Sequence, residues 1–114
     1  MSRDTVNALC KALPGAEWSS PFGPDHDTWK VGGKIFAQIG AVTPGVILKT
    51  PDTETAQLLI EVGAATKAPY FHGSWALFDW DKTEAQDMEA RIAQSYDLIR
   101  ASLTKKVQAS LAPR

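Results

Sequence analysis

Between Ala16 and Lys49 the chain is broken at short intervals by turn chemistry, and this punctuation most limits what it can fold into. Pro21-Phe22-Gly23-Pro24-Asp25, Gly32-Gly33 and Thr43-Pro44-Gly45 separate four short runs, Ala16–Ser19, Asp27–Val31, Lys34–Ile39 and Val46–Lys49. Gly-Gly accepts the positive φ angles that a two-residue hairpin turn requires. Runs this short cannot be stable helices, and connections this short cannot make a parallel crossover. They predict an antiparallel meander, with Trp29 and Val31 on one face of its second strand.

Helical patterns frame the meander. Val6, Leu9, Cys10 and Leu13 form an apolar stripe over Asp4–Leu13, with Ser2 or Asp4 as cap and Pro14-Gly15 as the stop. Thr50-Pro51-Asp52-Thr53-Glu54 opens a second helix, with Thr50 as N-cap, Pro51 in the first helical position and Gly63 as the close. Ala68–Phe71 and Trp75–Trp80 read as two more strands around His72-Gly73-Ser74. Thr83 with Gln86 fits a capping box, and Met88, Ile92, Tyr96, Ile99 and Leu103 then recur at helical spacing. Lys105–Arg114 is expected to fray. The predicted order is α-β-β-β-β-α-β-β-α: an α+β fold in which an antiparallel sheet of about six strands is joined by three helices.

The length of 114 residues fits one domain spanning residues 1–114, large enough to bury a core without staples. The single cysteine, Cys10, allows no internal disulfide framework and suits a reducing compartment. No apolar leader follows Met1, and no run approaches the ~20 apolar residues of a membrane span. The expectation is a cytoplasmic protein with no membrane role. Net charge is −1, from 12 Lys+Arg against 13 Asp+Glu, which weighs against a strongly basic nucleic-acid binder.

Six pieces, in order, resemble the MmcQ/YjbR family over nearly the whole chain. They are Leu13-Pro14-Gly15, Pro21-Phe22-Gly23-Pro24, Trp29 through Ala37, Leu48-Lys49-Thr50-Pro51, Ala68-Pro69-Tyr70 leading to Trp75, and Ser95-Tyr96-Asp97-Leu98-Ile99. The hairpin around Gly32-Gly33 and the Ser95–Ile99 segment are the most specific. The resemblance implies a CyaY-like, double-wing fold and a DNA-binding role through a β-hairpin wing, with no enzyme activity to carry over. It departs at Phe71-His72-Gly73-Ser74, where many members carry a longer basic segment.

The residues themselves offer two candidate surfaces. Lys30, Lys34, Lys49 and Lys67 fall on or beside the predicted sheet, and Lys30 and Lys34 flank the hairpin turn, where they could project near each other towards phosphates. Ordinary strand-edge lysines look the same. Tyr70, Phe71, His72 and Trp75 form a candidate interaction patch for a protein partner or for stacked bases, and a small-molecule-binding role at no assigned residues is a further alternative. In the last strand Trp75, Leu77 and Asp79 share one face, and Ala76, Phe78 and Trp80 the other, so both faces carry bulky groups. One face must be core. Cys10 lies on an apolar stripe, Asp25-His26-Asp27 lacks the further ligands a metal site needs, and Gly32-Gly33-Lys34 lacks phosphate-loop spacing. The expectation is a binding module with no cofactor, no metal and no enzymatic activity. An enzyme using His72 with a nearby acid ranks behind the DNA and protein-partner readings.

Overall fold

The computed structural model describes residues 1–114. Helix α1 (Arg3–Lys11) precedes strands β1 (Glu17–Ser19), β2 (Asp27–Val31), β3 (Lys34–Ile39) and β4 (Gly45–Lys49). Helix α2 (Thr53–Glu61), strands β5 (Thr66–Lys67) and β6 (Trp75–Asp79), and helices α3 (Ala85–Ala101) and α4 (Lys105–Ser110) complete it. The strands form one antiparallel sheet in the order β1-β2-β3-β4-β6-β5. The expected α+β class and six strands are as found.

Gly32 (φ 56°) and Gly33 (φ 84°) make the β2–β3 turn, both in the left-handed region that a primed hairpin turn needs. A Cβ on Gly32 would lie 2.5 Å from Leu103 Cδ1 and 2.9 Å from Val107 Cγ1. The Gly32 side of the turn thus lies against the C-terminal segment, while Gly33 is open.

The core lies between the sheet and α1 with α3. Met88, Ile92, Tyr96 and Ile99 bring the apolar stripe of α3 onto Phe36, Val46, Leu48 and Phe78, while Val6 and Cys10 carry the stripe of α1. Tyr96 meets Phe36 edge-on, ring centroids 5.3 Å apart, and its hydroxyl reaches the Pro14 carbonyl.

One irregularity sets which residues face which way. Trp29 opposes Ala37 while Lys30 opposes Ile35, so Phe36 is the extra residue of a β-bulge. Both Phe36 and Ala37 are therefore taken into the core. Beyond the bulge the alternation resumes out of phase, and Ile35 and Gln38 share the opposite face. Ser95 of α3 secures this region: its hydroxyl donates to the Phe36 carbonyl (2.6 Å) and accepts the Lys49 N–H (2.8 Å).

A polar cluster fixes α1 to the sheet. The Asp27 carboxylate accepts from Arg3 (2.9 Å), Asn7 (3.0 Å) and Trp18 Nε1 (2.7 Å), and Trp29 Nε1 donates to Asn7 Oδ1 (2.8 Å). Partial burial alone would raise the Asp27 pKa, but these hydrogen bonds and the Arg3 charge hold it below its ordinary value of 3.8. A depressed carboxyl contributes stability that is present above its unfolded value and lost as pH falls through the folded one. Asp27→Asn should therefore cost about 1–3 kcal/mol at pH 7, a deficit that closes as both proteins are acidified below about pH 4. Urea denaturation across that range measures it. A deficit that stays constant with pH would mean that the charge of Asp27 is not what holds α1.

Several local expectations are corrected. Asp52, not Thr50, caps α2, accepting the Thr55 N–H at 2.7 Å, because Thr50 is buried with its hydroxyl turned to the Ser74 carbonyl (2.7 Å). Pro51 lies outside the helix. The strand expected at Ala68–Phe71 sits earlier, at Thr66–Lys67; Pro69 has no N–H to give a ladder, and the chain turns there with Tyr70 at φ 68°. The Thr83–Gln86 capping box does not form: Glu84 is the N-cap without a side-chain bond, and the Thr83 hydroxyl is buried and unpartnered. Lys105–Ser110 is helical rather than frayed, capped by Thr104, so the fold has four helices rather than three.

Candidate functional site

The sheet face turned away from α1 and α3 carries a trough of about 660 Å³. Its floor is built by register. Ile47 pairs with Leu77 across β4 and β6, and with Gln38 across β4 and β3. Ile35 joins them because of the bulge at Phe36. Phe22, His26, Gly40 and Thr43 line one side, and Lys67, Pro69, Tyr70 and Phe71 line the other. No helix contributes to the lining. The size falls within the range of small-molecule sites, roughly 300–1,000 Å³, which are likewise mostly apolar with a few placed polar groups.

The rims are set by two loops. Ser20 closes the first, donating to the His26 carbonyl (2.8 Å), and Phe22 stands exposed on it. The second holds Tyr70 fully exposed, with Phe71 packed on Trp75 at 5.0 Å between ring centroids. A bulky residue with φ near +68° is an uncommon backbone state that glycine would adopt more readily.

Polar groups are few. Gln38 accepts from Thr28 (2.5 Å), and both are buried in the floor region. His26 Nδ1 is buried with no hydrogen-bond partner in the protein. Lys67 is the only Lys, Arg, Asp or Glu in the lining; it pairs with the core residue Ala76 at the end of edge strand β5, so it borders the trough from the sheet edge rather than rising from the floor. By register, Glu17 lies beside Lys30 and Asp79 beside Gly45 on this same face, both outside the trough.

The four lysines read from the sequence are not brought together. Lys30 pairs with Ile35 on the trough face, whereas Lys34 pairs with the buried Val31 and so lies on the helix side. The two do not project near each other. Lys34 Nζ sits 3.4 Å from the Ser102 hydroxyl at the end of α3, where a cation complements the helix dipole. Lys49 is half-buried and donates to Ser74 Oγ (2.8 Å) and the Thr50 carbonyl (3.2 Å). Lys30 and Lys67 have no partner within the protein.

Of the aromatic patch, Tyr70 and Phe71 line the trough, while His72 and Trp75 lie outside it. His72 Nδ1 accepts the Ser74 N–H at 3.1 Å. Trp80 is half-buried against the core and Trp29 is buried in it; Trp18 is largely exposed on the edge strand. Sequence reasoning missed Phe22, His26, Ile35, Gln38, Ile47 and Leu77. The available signal was the apolar second face of the strands, seen at Trp75 and Leu77 but not followed to β3 and β4.

Cys10 is buried, which pushes its thiol up to about 12, with the Asp27 charge adding to the effect. Such a thiol is no nucleophile at neutral pH. Asp25, His26 and Asp27 do not converge, and no three His, Cys, Asp or Glu side chains gather as metal ligands. No helix is long and apolar enough to cross a membrane.

The fold and sequence have known counterparts. The uncharacterized protein YbdF of Escherichia coli O157:H7 is 27% identical over 115 positions, covering 96% of this chain and 93% of YbdF. The crystal structure of Deinococcus radiodurans protein DR2400, with its DUF419 domain, matches with a TM-score of 0.84 over 96% of this chain and 86% of that one. At 19% identity, that likeness shows a shared fold. A family model described as YjbR matches residues 11–98, most of the chain, including the hairpin around Gly32-Gly33 and all but the last residue of Ser95–Ile99, and the chain thus belongs to the YjbR family.

Proposed function

We propose that the protein is a non-enzymatic binding module whose working surface is the sheet face turned away from α1 and α3. The observation that carries this reading is the trough itself. Ile35, Ile47 and Leu77 form an apolar floor on a face where the polar side chains of a solvated sheet would otherwise stand. Exposed aromatics stand on both sides of it. The buried Cys10 and the scattered acids favour binding over catalysis.

The test is amide-shift mapping on the ¹⁵N-labelled protein with a matched pair of flat probes, 2-naphthoate and neutral 2-naphthamide. Either probe should move the amides of Ile35, Gln38, Ile47 and Leu77. Ile47→Gln, checked by circular dichroism for an intact fold, should weaken both probes about tenfold, because it replaces a buried contact with an amide that must be desolvated. If neither probe perturbs these amides at millimolar concentration, the reading fails.

A second reading keeps duplex DNA as the partner. It is favoured by the unpartnered Lys30 and Lys67 and by the role the family resemblance implies. Leu103 and Val107 flank one side of the turn in the wing it would use, at Gly32, while Gly33 stays open; Lys34 holds an exposed contact to Ser102, and Lys49 donates to Ser74. Two free lysines predict weak binding that collapses with salt. Fluorescence anisotropy of a labelled duplex at two salt concentrations decides it, and no binding at low salt removes DNA as a partner.

A further inference from the structure

We propose, building on the reading of the trough as the binding surface, that its ligand is a small molecule with a flat apolar or aromatic body and one anionic group, which Lys67 meets. Three observations support this. The chain as a whole is net negative, yet no carboxylate lines the trough, and its one charged lining residue is Lys67, an exposed lysine with no partner at the end of edge strand β5. An anion is therefore favoured locally, while a polyanion such as a nucleic-acid strand finds beyond it only Lys30 on this face, offset by Glu17 and Asp79.

The second observation is the body of the site. Ile35, Ile47 and Leu77 offer a carbon floor with Phe22 and Phe71 also in the lining, a surface on which a rigid planar group can lie at little cost in conformational freedom. The buried, unpartnered His26 Nδ1 marks the same wall as polar but unsatisfied.

The third is Tyr70. Its ring is fully exposed at the rim, and its backbone occupies a left-handed conformation that glycine would hold with less strain. A strained bulky residue at the mouth of a trough is the pattern of a side chain kept for a contact, with stability conceded for it. Tyr70 is assigned here as the ring that closes over the bound ligand.

The experiment extends the naphthoate and naphthamide pair. Naphthoate should bind about three- to fivefold tighter than naphthamide at low salt, the range expected of one partly screened ion pair. Lys67→Met should remove that preference, bringing naphthoate and naphthamide to equal affinity. Tyr70→Gly should keep or raise the melting temperature while weakening both probes about threefold or more. Equal affinities for the two probes, with Lys67→Met changing neither, would overturn the anion assignment and leave the trough standing as a binding surface. Full binding by Tyr70→Gly would overturn the role of Tyr70. An oligothymidylate that binds the trough as tightly as naphthoate would overturn the small-molecule assignment. If no probe reaches the trough, the underlying reading itself fails.

Discussion

Replacing Ser95 with alanine is expected to cost about 2–4 kcal/mol, a large share of a domain stability of roughly 5–15 kcal/mol. Ser95 is wholly buried in the middle of α3, where a hydroxyl would normally be a liability. Here it satisfies two backbone groups at once, the Phe36 carbonyl at the bulge and the Lys49 N–H at the end of β4. Alanine leaves both without a partner and without water. The melting temperature should fall by about 10 °C. Ser102→Ala makes the control. Its hydroxyl donates only to the Ile99 carbonyl at an exposed helix end, so the change should stay within about 0.5 kcal/mol. Urea denaturation of the two variants gives the comparison, and equal effects would sink the argument that Ser95 closes the sheet.

Gly45→Ala should be of similar severity, about 3 kcal/mol, for a reason of space rather than of backbone angle. A Cβ there would strike the Phe78 carbonyl oxygen, and it would lie 2.8 Å from the Phe78 carbonyl carbon and 2.9 Å from Asp79 Cα. All three atoms belong to the backbone of β6, which cannot step aside without losing its ladder to β4. That ladder aligns Ile47 with Leu77, so probe affinity at the trough should fall together with stability. Gly33→Ala is the useful contrast. Nothing lies within 4 Å of its Cβ position, and only the positive φ of 84° opposes it, a cost of about 1 kcal/mol. Thermal unfolding should rank Gly45→Ala well below Gly33→Ala, and a reversed order would show that β6 yields more easily than its contacts imply.

The fold was largely legible because its strongest signals are local. Gly32-Gly33 fixed one hairpin, Pro14-Gly15 and Gly63 ended two helices, and the stripe from Met88 to Ile99 set α3. What escaped depended on tertiary context. Thr50 reads as a cap until Ser74 takes its hydroxyl. Lys105–Ser110 reads as a tail until Val107 packs on the hairpin turn. The site was legible at its rim, where Tyr70, Phe71 and Lys67 are conspicuous residue types, and illegible at its floor. Simple alternation along Lys34–Ile39 groups Ile35 with Ala37 and Ile39 as core. The bulge at Phe36 breaks that phase, sends Ile35 to the other side and pairs it with Gln38. No residue in that stretch announces a bulge.

The seam between β3 and β4 also bears on the order in which the molecule assembles. The two strands are in register over only Ala37 with Leu48 and Gln38 with Ile47, and the rest is closed by a serine 59 positions from Phe36 and 46 from Lys49. The meander alone therefore leaves this seam held by a short ladder. The halves β1-β2-β3 and β4-β6-β5 become one sheet only when α3, from far along the sequence, docks across them, so closure of the seam belongs on the late side of the folding barrier. On that account loss of the Ser95 hydroxyl acts on the lifetime of the folded state, speeding unfolding while leaving the rate of folding nearly as it was.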